Sequence, residues 1–91
     1  MQVTIGLLAM GEPEAMAAID DAIATLRPDQ PSWHVDMGHA ATTRTIQIQL
    51  QARGLDEALQ AVKDAIDLHL RATSPAPAPE LRWARPRQVQ L

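Results

Sequence analysis

Cysteine is absent from this 91-residue chain, and aromatic residues are scarce. Without cysteine the chain has no disulfide, no thiolate nucleophile and no sulfur ligand for zinc or an iron–sulfur cluster. The only aromatic residues are Trp33 and Trp83, so the core is expected to consist of Ala, Ile, Leu, Val and Met. No stretch approaches the roughly 20 apolar residues of a membrane-spanning helix, and residues 1–4 do not resemble a signal peptide. We therefore expect a cytoplasmic protein that does not associate with membranes.

Charge is distributed unevenly along the chain. The net charge is -3, but residues 1–67 contain four basic residues against ten carboxylates, whereas residues 68–91 contain four arginines against one glutamate. An acidic body with a cationic end favours charge complementarity between subunits, or contact of the end with an anionic partner. A solvated tail is the alternative interpretation. At this length we expect a single domain, residues 1–91, whose modest stability self-association would increase.

The clearest pattern in the sequence lies in residues 45–51, where apolar residues alternate with amides and a hydroxyl. A period of two predicts a β-strand with one face in the core and one flat, uncharged face. The predicted core face is Ile46, Ile48 and Leu50, and the predicted outer face is Thr45, Gln47, Gln49 and Gln51. The outer face suits protein contact or plain solvation.

Shorter patterns predict the remaining elements. Residues 2–9 and 32–37 alternate and predict two strands, with residues 38–42 as the hairpin connection to a strand over 43–53. Helical spacing predicts a first helix that begins near Pro13 and a second that runs from about residue 55 to 72. The second helix has a wide apolar arc. Leu68, at the side of this arc, is predicted to touch a partner or to be partly exposed.

The C-terminal part of the chain is rich in proline and arginine. Residues 73–80 are rich in Pro and Ala and predict an extended crossover loop. Residues 81–91 are predicted to form a last edge strand or a tail. Trp83, Arg85 and Arg87 share one parity there, and Pro86 confines the segment to a sheet edge or a bulge because proline cannot donate to a ladder.

The order strand, helix, strand, strand, helix, strand resembles the ferredoxin-like α+β sandwich. This resemblance covers nearly the whole chain but concerns topology alone, which many unrelated functions share. It implies a βαββαβ domain with a four-stranded antiparallel sheet and two helices on one face. The other face of the sheet would then be open.

Several activities that occur on this topology need residues that are missing here. RNA-recognition domains stack bases on aromatic residues, but the matching outward positions are Thr4, Gly6, Gln47 and Gln49. Nucleic acid is therefore disfavoured, except for a weak role of the segment from Arg82 to Arg87. Heavy-metal-associated domains carry a Cys-x-x-Cys motif and small acyl-phosphate hydrolases carry an arginine in the first βα loop, and neither is present. ACT-type sensing domains need a glycine in that turn, which Gly11 supplies.

One group of titratable residues stands out. His34 and Asp36 are predicted to point to the same sheet face, and His39 in the following turn could approach them, with Arg44 across the hairpin. Such a group could bind a divalent metal or form a carboxylate-oriented general base. Its spacing matches no established ligand motif, and a polar strand edge explains it equally well. His69 is predicted to be an interface or core-edge residue.

The leading hypothesis is a non-catalytic protein-interaction or oligomerisation module, a homodimer or a subunit of a larger complex, without a cofactor. An ACT-like small-molecule sensor is the first alternative, and a metal-binding or general-base enzyme that uses His34, Asp36 and His39 is the second. The residues predicted to contact a protein partner are Gln47, Gln49, Gln51, Leu68, Arg82, Trp83, Arg85 and Arg87.

Overall fold

The two strands with the most regular alternation pair along their whole length in the computed structural model, which describes residues 1–73 and 77–89. The elements along the chain are β1 (Gln2–Met10), α1 (Pro13–Asp29), β2 (His34–His39), β3 (Thr43–Gln51), α2 (Leu55–Thr73), β4 (Glu80–Trp83) and β5 (Arg87–Gln88). Strands β1 and β3 run antiparallel, from the pair Gln2 and Gln51 to the pair Met10 and Thr43. They form the centre of the sheet.

Helix α1 begins at the proline that the sequence places in a first turn. Pro13 needs no backbone donor there, and Glu14 lies near the positive end of the helix dipole. The helix ends where the backbone N–H of Gln30 donates to the carbonyl of Leu26 over 2.9 Å. Its buried face consists of Ala15, Met16, Ala18, Ile19, Ala22, Ile23 and Leu26.

Helix α2 buries a narrower stripe, which consists of Ala58, Val62, Ile66 and His69. Leu59 and Leu70 are half-buried beside this stripe and pack against the core. Leu55 is 37% exposed because it is the first residue of the helix. Leu68 is 65% exposed, as expected for a residue at the side of the arc.

The strand order β2-β3-β1-β4 makes β2 an edge strand. Its predicted bounds, 32–37, were wrong by two residues at each end. The strand starts late because the backbone N–H of Trp33 closes a turn onto the carbonyl of Gln30 over 3.0 Å. It ends late because His39 still pairs with Arg44, so the connection to β3 is shorter than the predicted 38–42.

The predicted last strand is interrupted. Strand β4 pairs with residues 7–10 of β1, and the separate strand β5 pairs with residues 3–4 of β1. Trp83 is opposite Leu7, and Arg87 is opposite Thr4. Trp83 and Arg87 are four residues apart, whereas Leu7 and Thr4 on β1 are only three residues apart. One extra residue therefore lies in this segment, as in a β-bulge at Pro86. The predicted shared parity of Trp83 and Arg87 was wrong because the extra residue moves Arg87 to the opposite sheet face. Residues 74–76 of the predicted crossover loop, and residues 90–91, lie outside the described residues.

Directly paired residues share a sheet face, so the register divides the strand residues between two faces. Helices α1 and α2 cover the face that carries the buried residues Val3, Ile5, Leu7, Ala9, Val35, Ile46, Ile48 and Leu50. The opposite face, here called the open face, carries Gln2, Thr4, Gly6, Leu8, Met10, His34, Asp36, Gly38, Thr43, Thr45, Gln47, Gln49, Gln51, Glu80, Arg82 and Arg87. This α+β arrangement is compatible with a ferredoxin-like topology.

Candidate interaction surface

The open face consists of rows that cross the sheet, because paired residues lie side by side. One row contains His34, Gln49, Thr4 and Arg87, the next contains Asp36, Gln47 and Gly6, and a third contains Gly38, Thr45, Leu8 and Arg82. Residues two apart on a strand are about 6.8 Å apart, and neighbouring strands are separated by about 4.8 Å. In each row the charged residues lie at the edges of the sheet and the centre is uncharged.

Two adjoining depressions occupy the open face. The first has a volume of about 290 Å³ and is lined by Thr4, Gln47, Gln49, Arg87, Gln88 and Val89. The second has a volume of about 330 Å³ and is lined by Asp36, Met37, Gly38, Thr45 and Gln47. Gln47 lines both depressions and separates them.

Two glycines lower the surface of the open face next to Gln47. Gly6 lies beside it on β1, and a Cβ on Gly6 would come within 3.3 Å of the Cβ of Ala84. Ala84 continues the pairing beyond β4 through a 2.9 Å hydrogen bond from its N–H to the Gly6 carbonyl. Gly38 lies one row away, next to Thr45. Gln47 thus has a glycine beside it on β1 and a second glycine one row away on β2.

Charges of opposite sign mark the two edges of the open face. On β2, Nε2 of His34 lies 3.4 Å from Oδ2 of Asp36, and both side chains are exposed. On β4, the exposed Arg82 donates from Nε to Oε1 of Glu80 over 3.2 Å. Arg87 adds a second guanidinium on this side of the sheet. One edge therefore presents a carboxylate beside a histidine, and the other presents two arginines against one carboxylate.

The structure brings His34 and Asp36 together but places His39 elsewhere. His39 pairs with Arg44, at an odd position of β2, and so lies on the helix-covered side of the sheet. Its Nε2 is 3.5 Å from Oδ1 of Asp20 on α1. Among residues 1–73 and 77–89, no three histidine or acidic side chains are grouped so that they could hold a metal ion. The three residues predicted as one site thus belong to two separate contacts.

A partly buried ion pair holds Arg44, which was expected to approach the histidines across the hairpin. Arg44 donates from Nε and Nη2 to the two carboxylate oxygens of Asp20, over 2.7 and 3.0 Å. These hydrogen bonds lower the pKa of Asp20 below its ordinary value of 3.8, although partial burial acts in the opposite direction. Beside the pair lies a depression of about 230 Å³, lined by Asp20, Ile23, Ala24, Arg27, Met37 and His39.

His69 links the two helices at the edge of the core, as predicted for a core-edge residue. Its Nδ1 lies 2.8 Å from the hydroxyl of Thr25, and that hydroxyl also lies 3.0 Å from the carbonyl of Ala22. Nε2 lies 3.2 Å from Oδ2 of Asp29. Both ring nitrogens have partners on α1, which leaves His69 in a structural position.

The other predicted contact residues do not lie together on one surface. Gln51 lies on the open face and donates from Nε2 to Oε1 of Gln2 over 2.6 Å. Trp83 faces the helices, packs against the core and has the ammonium of Lys63 5.8 Å from its ring centroid. Arg85 is exposed in the bulge, and Leu68 is exposed on α2.

Sequence reasoning missed three residues of α1 that contact titratable side chains. Asp20 contacts Arg44, and Thr25 and Asp29 contact His69. Helical spacing gave a partial indication that these residues lie near the core, because Asp20 follows the buried Ile19 and Asp29 lies in the last turn. The partners, which are 24 and 44 residues away from Asp20 and Thr25, could not be identified without the fold.

Comparison of the chain with protein-family models, with curated proteins and with solved structures found no match. Among the described residues, neither helix is long and apolar enough to cross a membrane.

Proposed function

We propose that this protein is a non-catalytic interaction module that assembles as a homodimer through the open face of its sheet. The observation that supports this proposal is the composition of that face. Its centre, around Gln47 and Gly6, consists of amides, hydroxyls and glycine, and the charged residues lie only at its edges. Such a distribution is that of an interface, with charge depleted at the core and polar groups at the rim.

The energetics of burial favour this face over the rest of the surface. Burying a charge requires a partner and a large desolvation cost, whereas neutral amides can exchange hydrogen bonds with water for hydrogen bonds with another chain. Gln47 and Gln49 are flanked by the half-buried Leu8 and the small residue Gly6. The face combines modest apolar area with neutral donors and acceptors, which suits association with a protein.

Other macromolecules suit this face less well. Base stacking needs aromatic side chains on the central strands, and both Trp33 and Trp83 pack against the core on the opposite side. Phosphate binding needs a basic surface, but only one edge of the open face is cationic. A protein surface is therefore the partner we propose.

Sedimentation velocity over a wide range of concentrations tests the proposal. We expect a reversible monomer–dimer equilibrium that the double variant Gln47→Lys, Gln49→Lys shifts to monomer, because it places four ammonium groups in the dimer interface. The matched control is Gln60→Lys on the exposed side of α2, where the native amide donates to Asp64 over 2.8 Å. A wild-type chain that stays monomeric at every concentration would refute the proposal.

An ACT-like small-molecule binding role is the second candidate. The depression of about 290 Å³ supports it, because Arg87, Gln47 and Gln49 line it together. A ligand with a carboxylate group would match these donors. A thermal-shift screen of amino acids and small carboxylic acids tests this role: a stabilising compound should lose its effect in Arg87→Gln. A screen without any stabilising compound would count against it.

The finer structural and cellular assignments belong to the same proposal. We assign the fold as a ferredoxin-like βαββαβ sandwich whose fourth strand is interrupted by the bulge at Pro86. A cytoplasmic location stays a prediction.

A metal or general-base role for His34, Asp36 and His39 also stays a prediction. Unchanged metal content and activity in His34→Ala and His39→Ala would eliminate it.

A further inference from the structure

We propose that two copies stack open face to open face about a two-fold axis parallel to the strands, so that the β2 edge of each copy lies over the β4/β5 edge of the other. This inference rests on the proposed homodimer and adds the orientation of its subunits. It follows from the placement of charged and small residues in the rows of the open face.

Face-to-face dimers need a two-fold axis that lies in the plane of the interface. An axis parallel to the strands keeps each row in place and exchanges the two edges of the sheet. An axis perpendicular to the strands keeps the edges in place and reverses the order of the rows. The two orientations therefore bring different side chains together.

Charge favours the axis parallel to the strands. The row of Asp36 lies between the row of Arg87 and the row of Arg82. When the edges are exchanged, the Asp36 carboxylate of one copy lies between the Arg82 and Arg87 guanidinium groups of the other copy. The perpendicular axis stacks each edge on the same edge of the other copy, which sets two β4/β5 edges, each with two arginines and Glu80 and a net positive charge, against each other and brings the two β2 edges with their Asp36 carboxylates together. Like charges in direct opposition disfavour association. The axis parallel to the strands instead places opposite charges together, which fixes the register of the two copies.

Shape favours the same axis independently. Exchange of the edges lays β3 of one copy over β1 of the other, row by row. Gln47 then lies over Gly6, so that this long amide faces a residue without a side chain, and Gln49 lies over Thr4, which is only 8% exposed. The perpendicular axis lays β3 over β3, where the long amides oppose one another. Close packing at an interface core needs the first arrangement.

The twist of the sheets is compatible with this arrangement. Aligned sheets pack with their strands offset by about 30°. Each edge lies about 7 Å from the axis, because four strands are spaced about 4.8 Å apart. The offset therefore moves the edges by only a few ångströms, within the reach of an arginine side chain.

A charge-swap experiment tests the orientation. One chain carries Asp36→Arg, and the other carries Arg82→Asp with Arg87→Asp. Each variant alone should lose at least about tenfold in homodimer affinity, and an equimolar mixture of the two should recover a heterodimer. The control chains carry Asp21→Arg on α1 and Arg53→Asp before α2, both at exposed positions away from the open face. They should dimerise as the wild type does. Circular dichroism should confirm that all chains are folded.

Cross-linking gives a second measurement, since the native chain has no cysteine. Asp36→Cys and Ala84→Cys lie in the same row at opposite edges, and stacked sheets are separated by about 10 Å. A bis-maleimide of this reach should join an Asp36→Cys chain to an Ala84→Cys chain. Efficient joining of two Asp36→Cys chains to each other, with undiminished homodimer affinity in each charge variant alone, would overturn the orientation but leave the homodimer standing. A wild-type chain that is monomeric throughout would instead refute the proposed function itself.

Discussion

Arg44 donates to both carboxylate oxygens of Asp20, from Nε over 2.7 Å and from Nη2 over 3.0 Å. Its third nitrogen, Nη1, donates to the carbonyls of Ala40 and Thr43. A single guanidinium thus joins α1 to the connection between β2 and β3. Because the side chain of Arg44 is only 12% exposed, water competes weakly for its hydrogen bonds. The end of the sheet that carries this connection therefore depends on α1 for its position.

We expect Asp20→Asn to lower the free energy of unfolding by about 1–2 kcal/mol. A hydrogen bond to a charged group contributes up to about 3 kcal/mol, but Asp20 is 36% exposed and solvent screening reduces the effect. Urea unfolding measures the change. The neighbouring exposed residue provides the control, since Asp21→Asn should stay within about 0.5 kcal/mol of the wild type. Equal effects of the two substitutions would show that the Arg44 contact contributes nothing.

The same ion pair predicts a loss of stability in acid. Hydrogen bonds from Arg44 lower the pKa of Asp20 below its ordinary value of 3.8. Below that value the unfolded chain binds a proton that the folded chain does not, so the free energy of unfolding falls as pH falls. The contribution is complete above about pH 4 and disappears as the pH falls through the lowered pKa. We expect the stability difference between the wild type and Asp20→Asn to shrink over this range. A constant difference from pH 7 to pH 2 would contradict the assignment.

The fold was largely predictable because its signals are local. Alternation in residues 45–51 reported burial on one side of the sheet, and Ile46, Ile48 and Leu50 are all in the core. The sheet face on which each residue of the last strand lies was not predictable in this way. Pro86 was recognised as a position for a bulge, but the number of extra residues depends on how β4 and β5 each fit against β1.

The contacts of the polar side chains were less predictable than the strands. His34 and Asp36 are two residues apart on one strand, so their proximity followed from the period of a strand alone. His39 is an odd number of residues from His34, and the extension of β2 through His39 fixed it on the other face. Its partner Asp20 belongs to α1, and a contact between distant elements leaves no periodic signal in either segment.

His69 provides a test of how the two helices are joined. We expect His69→Leu to lower the free energy of unfolding by about 1 kcal/mol, the net contribution of a typical hydrogen bond, because its partners Thr25 and Asp29 are exposed and water can replace the lost contacts. The adjacent Leu68→Ala should change it by less than about 0.5 kcal/mol because Leu68 is exposed. Thermal or urea unfolding measures both variants. If His69→Leu is as stable as the wild type, the contacts with Thr25 and Asp29 are energetically neutral.

The close approach of Gly38 and Thr45 predicts a coupling between these two positions. A Cβ on Gly38 would overlap the hydroxyl oxygen of Thr45 on the neighbouring strand. We expect Gly38→Ala to destabilise the protein by about 1 kcal/mol, as overpacking does. In a Thr45→Ala background the hydroxyl is gone, and the same substitution should cost less or stabilise the chain by reducing the entropy of its unfolded state.

A double-mutant cycle measures this coupling, with urea unfolding of the two single variants and the double variant. The control repeats the cycle with Gly54→Ala in place of Gly38→Ala, because a Cβ on Gly54 meets no atom within 4 Å. We expect a coupling free energy of about 1 kcal/mol for Gly38 and none for Gly54. If the effects of Gly38→Ala and Thr45→Ala on the free energy of unfolding are additive, the Thr45 side chain rotates away from the new Cβ without cost. The Thr45 hydroxyl would then not be the reason why β2 has a glycine at position 38.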